Sequence, residues 1–381
     1  MTEEFGVYVH LPYCPYKCHY CDFNAYRLPR APEARREMTR AIAREIERAP
    51  GEDRGKKVGS VFFGGGTPSL FAPAEIAEIL RAISGRYARS RRAEVTLECN
   101  PGTVDLAALV ALRRAGVNRL SIGAQSFREE TLTRIGRLHT PEETRSAVAM
   151  AREAGFRNIS LDIIYGLPGE TPEDAEESAR IALSLGVEHL SAYALELEER
   201  TLFGRLEAQG KLELLPDDEV VRAGELVGAA CEAAGLQRYE VSNFARPGRR
   251  SRHNMLYWHQ GSYRGFGPGA HSHLSGHRFW NASPPGVYLS RVAAGGEARE
   301  EGEVLSSEAV MGEWVYLRLR LAEGFALRAF AQRFGQSLDA AYPGVRRDLL
   351  AQGLLERLPG WVRPTARGRW LLHRVAAPFL A

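Results

Sequence analysis

Lysine, cysteine and long apolar segments are scarce in this chain of 381 residues, and each shortage narrows what the protein is. Lysine occurs at only four positions, so arginine supplies most of the positive charge. The net charge of +3 gives little reason to expect a nucleic-acid partner. No stretch of about 18 consecutive apolar residues occurs, so the sequence predicts no transmembrane segment. Residues 1–5 contain no basic and apolar signal segment, and we therefore expect a cytoplasmic protein.

The five cysteines are unevenly distributed. Cys14, Cys18 and Cys21 lie within eight residues, directly after the apolar run Val7–Leu11, whereas the other two are isolated. The spacing Cys-x3-Cys-x2-Cys supplies three thiolates to one site, one fewer than a cubane cluster of four irons and four sulfurs normally takes. Three protein ligands leave one iron open, and an open metal position is typical of a reaction site. Because such thiolates must stay unoxidised, we expect a reducing compartment.

Two other interpretations of these cysteines stay open at this point. Zinc takes four ligands, and His10 or His19 is near enough in sequence to complete a set with the three cysteines. A disulfide would use two of the thiols and leave the third free. Zinc sites usually come as two paired ligand sets, so a single group of cysteines favours an iron–sulfur site.

Short apolar runs alternate with segments of helical periodicity through the first half of the chain. The runs are typical of buried strands, and the segments between them begin with proline or a capping side chain, as helices do. The expected strands are Val7–Leu11, Ser60–Phe63, Glu94–Leu97, Arg119–Ile122, Ile159–Ile164 and His189–Leu195, and the expected helices are Pro73–Ser84, Asp105–Ala115, Pro141–Ala154 and Pro172–Leu185. Their spacing suits βαβ units. Six such units predict an α/β fold, an incomplete (β/α)6 parallel barrel.

The pattern changes after about residue 300 to helices with one short hairpin. The expected helices are Glu308–Arg320, Leu327–Phe334, Leu338–Tyr342 and Val345–Leu350, and Pro359-Gly360 marks the turn of the hairpin. This arrangement resembles a winged helix and predicts a smaller, mainly helical C-terminal domain. We therefore divide the chain into a barrel (1–235), a linker that extends the barrel (236–300) and a C-terminal domain (301–381).

Glycine-rich or polar motifs accompany the first five expected strands. Parallel barrels carry their chemistry at the C-terminal ends of their strands, so motifs at these positions meet in one site. The motifs are the cysteine loop, Gly64-Gly-Gly-Thr-Pro68, Glu98-Cys-Asn-Pro101, Gly123-Ala-Gln-Ser-Phe127 with Arg137 beyond it, and Asp162 within the fifth strand. Glycines let a backbone approach a ligand closely, and an arginine can pair with a carboxylate. The sequence therefore predicts a ligand site at the mouth of the barrel.

Together with Tyr8-Val-His-Leu-Pro-Tyr-Cys14, these motifs closely resemble the oxygen-independent coproporphyrinogen III oxidase family of the radical S-adenosylmethionine (SAM) superfamily. In that superfamily the open iron chelates SAM, and an electron from the cluster cleaves it to a deoxyadenosyl radical. The resemblance implies a 4Fe–4S cluster on Cys14, Cys18 and Cys21. It further implies a first SAM near Tyr8, Gly65 and Glu98 and, as in the oxidase proper, a second near Tyr20, Gly66, Thr67, Gln125, Arg137 and Asp162.

Two departures from the oxidase pattern favour the haem-chaperone branch of the family, the HemW-like proteins. The oxidase loop ends in Cys-x-Cys, and Phe23 occupies the second of those positions here. The oxidase also carries a long extension before the first strand, where only about six residues stand in this sequence. A small residue that lines the second SAM pocket of the oxidase corresponds to Glu196, which leaves open whether one SAM molecule or two are bound.

A third feature, His253-Asn-Met-Leu-Tyr-Trp258, resembles the His-Asn-x-x-Tyr-Trp sequence of the HemW-like branch. The resemblance implies a protein that binds haem and delivers it to an apo haem protein, membrane-bound acceptors included. An imidazole is a good axial ligand for iron, and Tyr257 and Trp258 could stack on the macrocycle. The cationic turn 246–252 could hold propionates. Competing histidines lie nearby, namely His259, His271 and His273.

We therefore expect a carrier that binds a 4Fe–4S cluster, SAM and haem, together with an electron donor for the cluster and an acceptor for the haem. One alternative is an oxidase that decarboxylates the propionates of coproporphyrinogen III to vinyl groups. Another is a zinc-stabilised barrel without radical chemistry. Whether the protein cleaves SAM, and so acts as an enzyme, stays open.

Overall fold

The computed structural model describes residues 5–31, 33–53, 55–274, 276–295 and 298–380. The strands are β1 Phe5–Leu11, β2 Tyr13–Cys14, β3 Tyr26–Arg27, β4 Lys57–Gly65, β5 Ala88–Cys99, β6 Arg119–Gln125, β7 Ile159–Tyr165, β8 His189–Ala194, β9 Gln237–Arg238, β10 Asn243–Ala245, β11 Tyr263–Phe266, β12 His271–Leu274, β13 His277–Asn281, β14 Arg299–Val304, β15 Phe325–Ala326 and β16 Trp361–Val362.

The helices surround the sheet and form most of the C-terminal part. They are α1 Ala34–Arg48, α2 Pro73–Arg86, α3 Leu106–Ala115, α4 Glu129–Arg134, α5 Pro141–Glu153, α6 Pro172–Ser184, α7 Leu202–Ala208, α8 Asp217–Ala233, α9 Arg252–Trp258, α10 Pro285–Ala293, α11 Ser307–Leu319, α12 Leu327–Phe334, α13 Leu338–Ala341, α14 Val345–Ala351, α15 Ala366–Trp370 and α16 Leu372–Leu380.

Six parallel strands form the centre of one large sheet, in the order β1-β4-β5-β6-β7-β8. These are the six strands that the sequence predicts, most of them slightly longer than expected. On one side β11 pairs parallel to β1, and β12, β13 and β14 continue the sheet antiparallel to one another. On the other side β10 and β9 follow β8. Among the described residues β14 and β9 are the two edges, so the sheet is an open, incomplete barrel.

The helices between the parallel strands begin where their capping residues predict. Thr140 accepts a hydrogen bond from the backbone of Glu143, whose carboxylate bonds back to the backbone N–H of Thr140, and Pro141 occupies the first helical turn of α5. The same capping box starts α6 at Thr171. Such a cap stabilises a helix by about 1 kcal/mol, because it satisfies backbone donors that have no partner within the helix.

Apolar and polar side chains alternate along the strands, so that one face of the sheet packs against the helices and the other lines the interior of the barrel. In β7 the side chains of Ile159, Leu161 and Ile163 are buried within the main apolar cluster, against the helices. The alternate residues Ser160 and Asp162 hydrogen bond to each other on the inner side. Because successive strand side chains point to opposite faces, the same sequence builds an apolar outer layer and a polar interior.

The strands from β9 to β14 are a difference from the sequence prediction. They are short, and β14 is exposed along its whole length, so they lack the apolar alternation from which strands are recognised. Pairing with the edges of the central sheet stabilises them instead. The segment 236–300 thus extends the sheet on both sides.

A second apolar cluster lies in the C-terminal part and is centred on Trp314. The ring of Trp314 contacts Phe325, Phe330 and Phe334 at centroid separations of 4.9, 5.8 and 5.7 Å. The four helices α11 to α14 agree with the sequence prediction, and a turn at residues 358–361 joins the arms of the expected hairpin. This arrangement is compatible with a winged helix. Among the helices that the structure describes, none is long and apolar enough to span a membrane.

Candidate functional site

The three clustered cysteines lie in the loop that follows β1, at the C-terminal end of the parallel strands. Their side chains are half-buried, and their thiols are free. The glycine turn after β4 packs against this loop, since the backbone N–H groups of Gly66 and Thr67 donate to the carbonyls of Leu11 and Tyr13 at 2.7 and 2.9 Å. The Thr67 hydroxyl lies 3.3 Å from the Cys14 sulfur.

The thiols are close enough to one another to affect their ionisation. Burial raises the pKa of Cys14 and raises that of Cys21 to about 11, and repulsion between the thiolates adds to both shifts. The guanidinium of Arg137 lies 3.7 Å from the Cys18 sulfur, and its charge opposes the rise in the pKa of Cys14. A site that gathers three thiols and opposes their charges suits a cationic metal cluster, which would hold all three as thiolates.

The zinc alternative finds little support in this geometry. Both ring nitrogens of His10 are hydrogen bonded, to the Tyr8 hydroxyl at 3.0 Å and the Asn24 carbonyl at 2.9 Å. His19 bonds the Arg134 carbonyl through Nδ1 at 2.9 Å. Among the described residues, no three His, Cys, Asp or Glu side chains converge closely enough to hold a single metal ion. A polynuclear cluster presents a separate iron to each thiolate and does not need that convergence.

The glycine turn brings its backbone unusually close to the cysteine loop. Gly65 has a φ of +108°, and a Cβ there would lie 2.5 Å from the ring of His10. A Cβ on Gly66 would lie 2.6 Å from the Tyr13 carbonyl oxygen. Only glycine fits at these positions, so the close approach of this turn to the cysteine loop depends on glycine.

The residues predicted for a first SAM lie next to one another. The backbone of Gly65 hydrogen bonds to Glu98, and Tyr8 is near enough for the charge of Glu98 to raise its pKa, after the larger effect of burial. Burial, followed by repulsion from Asp162, raises the pKa of Glu98 to about 8. A protonated or partly protonated Glu98 can both donate and accept hydrogen bonds at neutral pH.

Of the residues predicted for a second SAM, Arg137 and Thr67 are joined by hydrogen bonds through Asn100. Arg137 donates to the Gly123 carbonyl at 2.6 Å and to Asn100 at 2.9 Å, and Asn100 donates to Thr67 at 3.0 Å. Tyr20 lies close enough to Arg137 and the thiols for their charges to act on its pKa. Gln125 has a φ of +63° at the end of β6, a conformation uncommon outside glycine. Residues from four loops therefore meet around the cysteines.

Asp162 lies deeper, on the inner face of β7. Its carboxylate accepts hydrogen bonds from Ser121 at 2.9 Å and from Ser160 at 3.2 Å. Burial raises its pKa in spite of these bonds. Its partners make Asp162 part of a polar layer beneath the mouth of the barrel.

Sequence reasoning missed Arg119 as a central residue of this interior. Arg119 is 2% exposed at the start of β6, and its charge acts on Glu98, Asp162 and His253. The sequence offered one indication of this role, because Arg119 is a charged residue at the first position of an otherwise uncharged, buried strand. Asn100, which joins Arg137 to Thr67, was also missed as an individual residue, although it lies within the motif Glu98-Cys-Asn-Pro101.

His253 lies away from the cysteine loop, in α9. The carboxylate of Glu94 accepts from the first two backbone N–H groups of this helix, and Ser251 caps it. The His253 ring packs within 5.3 Å of the Phe62 ring and 6.4 Å of the Tyr8 ring. His253 therefore contacts Tyr8, a residue predicted to bind SAM, from the interior of the barrel.

Comparison with protein families gives two matches. Residues 8–182 match the family described as "Radical SAM superfamily", and residues 305–371 match the "HemN C-terminal domain". The first match covers five of the six parallel strands, namely β1, β4, β5, β6 and β7, and most of α6, whereas β8 lies beyond it. The second match covers α11 to α15.

Curated relatives match along the whole chain. The "Heme chaperone HemW" of Bacillus subtilis (strain 168) is 36% identical over 376 residues, covering 98% of this chain and 99% of the relative. That of Escherichia coli (strain K12) is 34% identical, covering 99% of this chain and 98% of the relative. The expected resemblance to HemW-like proteins is thereby confirmed.

One solved structure has the same fold over nearly the full length. It is described as "Coproporphyrinogen III oxidase (HemN) from Escherichia coli is a Radical SAM enzyme", and it superposes with a TM-score of 0.87 at 23% identity, covering 99% of this chain and 90% of that one. At this identity the likeness establishes the fold, and it confirms the predicted barrel with a smaller C-terminal domain.

Proposed function

The chain belongs to the HemW-like family within the radical SAM superfamily, and on that premise we propose that it binds haem and delivers it to apo haem proteins. The observation that carries the proposal is a cavity of about 480 Å³ beside α9, the helix formed by the His-Asn-x-x-Tyr-Trp segment. Tyr257 and Trp258 line this cavity. Its volume falls in the range of about 300–1,000 Å³ that is usual for ligand sites.

We propose that Cys14, Cys18 and Cys21 hold a 4Fe–4S cluster. Such a cluster, when bound, provides an open iron for SAM and the electron that cleaves it. The chain would orient SAM through the backbone at Gly65, and Glu98 would accept hydrogen bonds from ribose hydroxyls. Arg137 would pair with a carboxylate at the network around the cysteines, if a second SAM binds there.

The distance between the cavity and the cysteine loop supports a carrier over an oxidase. Tyr263, in the wall of the cavity, pairs with Gly6 near the start of β1, whereas the cysteine loop follows Leu11 at its end. Five residues of strand separate these levels by about 16 Å. A radical formed at the cluster would be far from a porphyrin in the cavity, while oxidative decarboxylation requires the two to meet.

The surface around the cysteines supports the proposal of an electron donor as a partner. Phe23 is 66% exposed and Lys17 is also exposed, which would give an electron donor access to the cluster.

We propose a cytoplasmic site of action, because free thiols persist in a reducing compartment. The barrel (1–235), the extension (236–300) and the C-terminal domain (301–381) remain our proposed domains, and the two apolar clusters support the last boundary.

The proposal is tested with protein whose cluster is reconstituted anaerobically. Hemin is titrated while the Soret band is followed, the loaded protein is mixed with an apo haem protein, and coproporphyrinogen III is supplied with SAM and a reductant in a parallel assay. We expect saturable binding at one hemin per chain, transfer to the acceptor and no decarboxylation. Turnover of coproporphyrinogen III without saturable hemin binding would identify the oxidase alternative instead.

A further inference from the structure

The histidine of the His-Asn-x-x-Tyr-Trp segment is not available to iron in this structure. His253 is 1% exposed, its Nδ1 hydrogen bonds to the Ser60 hydroxyl at 2.9 Å, and its Nε2 bonds to the Tyr257 hydroxyl at 2.8 Å. A metal ligand needs a free nitrogen lone pair and an approach path for the metal. Ligation by His253 would break one of these bonds and open a packed interior.

The cavity beside α9 carries its own imidazole. His273, on β12, lines the cavity, and its Nδ1 lies 3.3 Å from the carbonyl oxygen of Gly261. A carbonyl only accepts, so this contact places the proton on Nδ1 and leaves the lone pair on Nε2. Among the described residues none is hydrogen bonded to that Nε2. An imidazole whose other nitrogen donates to a carbonyl is the usual arrangement of a histidine metal ligand.

The remaining walls suit an amphipathic porphyrin. Tyr257, Trp258, Tyr263 and Tyr316 supply aromatic surface, which macrocycles stack against. The indole Nε1–H of Trp258 is buried and has no acceptor among the residues that the structure describes. A propionate carboxylate in the cavity would satisfy it, whereas a buried donor without a partner destabilises the fold.

A cation is also present, and two carboxylates hold it. The Arg278 guanidinium lines the cavity and donates to Glu313 at 2.7 Å and to Glu303 at 3.0 Å. Glu313 lies in the cavity wall as well. A propionate would compete with Glu313 for Arg278. The predicted cationic turn 246–252 does not contribute to the lining of this cavity.

We propose that His273, and not His253, is the axial haem ligand, and that haem occupies the cavity between α9, β12 and α11. This inference rests on the proposed haem-carrier function. His253 then acts as a positioning residue, because its bond to the Tyr257 hydroxyl holds one aromatic wall in place. The contact of His253 with Tyr8 also joins that wall to the residues proposed for SAM.

The test compares iron-containing and iron-free porphyrin binding to His273→Ala in the full, cluster-reconstituted chain. Hemin binding is followed by the Soret band and binding of metal-free protoporphyrin IX by fluorescence, each with and without added imidazole. His277→Ala is the matched control, since His277 is exposed on the neighbouring strand β13 and lies outside the cavity lining. His253→Gln is measured alongside.

We expect His273→Ala to weaken hemin binding by about 10- to 100-fold and to change its Soret position, while protoporphyrin IX binds as in the wild type. Added imidazole should restore the wild-type Soret position in His273→Ala. His253→Gln should weaken both porphyrins together without that rescue, because it disturbs a wall and no ligand. His277→Ala should match the wild type throughout.

Three results would overturn the assignment. If His273→Ala binds hemin like His277→Ala, the iron is not ligated by His273. If it loses hemin and protoporphyrin IX equally, His273 shapes the cavity without ligating iron. If imidazole rescues the Soret band of His253→Gln instead, His253 is the ligand. In all three cases saturable binding by the wild type would leave the haem-carrier proposal standing, whereas its absence would refute both.

Discussion

Acidification should destabilise this protein through His253, and the size of the effect follows from where the ring lies. Burial, with the charge of Arg119 as a second cause, lowers the pKa of His253 from 6.5 to about 3. Both ring nitrogens are bonded to hydroxyl groups, so the hydroxyl that donates to the neutral ring would have to turn and accept when the ring takes up a proton. Between about pH 3 and 6.5, His253 is therefore protonated in the unfolded chain and neutral in the folded chain.

The pKa values of His253 in the unfolded and folded chains, 6.5 and about 3, determine the direction and the size of the change in stability with pH. Stability from a group with a lowered pKa is fully present above 6.5 and is lost as the pH falls toward 3. At pH 5, which is 1.5 pH units below the unfolded value, the loss is about 2 kcal/mol. At pH 7 it is close to zero. Other buried histidines add losses of their own, so the contribution of His253 is obtained as a difference between two proteins.

The measurement compares wild type with His253→Gln, whose amide does not titrate. Apparent free energies of unfolding are taken from urea titrations at pH 7 and pH 5, followed by tryptophan fluorescence. The variant should be less stable at pH 7, and its deficit relative to wild type should shrink by about 2 kcal/mol at pH 5. His277→Gln removes an exposed histidine and should show the same difference at both pH values. A His253→Gln deficit that stays constant between the two pH values would refute the buried, neutral state of His253.

Three further outcomes follow from the site. Burial raises the pKa of Glu98 to about 8, so its contribution to the free energy of unfolding is lost as the pH rises from about 4.5 to 8. In urea titrations, the free energy of unfolding of wild type should therefore decline between pH 6 and 8.5, and Glu98→Gln should remove about 2 kcal/mol of that decline. Gly66→Ala would place a Cβ 2.6 Å from the Tyr13 carbonyl oxygen and should reduce iron and sulfide bound per chain, with an unchanged count refuting the close packing of the loop. Glu313→Gln removes the carboxylate that competes for Arg278 and should tighten hemin binding by about 3- to 10-fold in Soret titrations, while weaker binding would place the propionates elsewhere.

The central part of the fold was predictable because its residues carry strong local patterns. The six parallel strands are apolar runs, and Thr140-Pro141 and Thr171-Pro172 mark the helix starts between them. The edge strands were not predictable, because β14 is polar and exposed and is held in the sheet only by pairing with β13. Local propensity contains no information about such a partner.

The cysteine site was predictable for a different reason. Cys14, Cys18 and Cys21 are neighbours in sequence, so one loop brings their thiols together whatever the rest of the chain does. The motifs after the strands could also be assigned to one site, because the C-terminal ends of parallel strands lie at the same edge of a sheet. The motif histidine His253 was singled out by resemblance, and its availability as a ligand could not be read from its neighbours in sequence.

The sequence by itself determined the order of the six parallel strands and of the helices between them, the cysteine loop and the family, since each depends on residues close together in the chain. Only the tertiary structure decided which polar groups are already bonded. It encloses His253 between Ser60 of β4 and Tyr257 of its own helix, and it brings His273 and Arg278 to a cavity that α11 also lines. Ser60 is far from His253 in sequence, and α11 is far from His273, so local sequence patterns do not reveal that they are neighbours. The free lone pair of an imidazole depends on the hydrogen-bond partner of its other nitrogen in the folded chain.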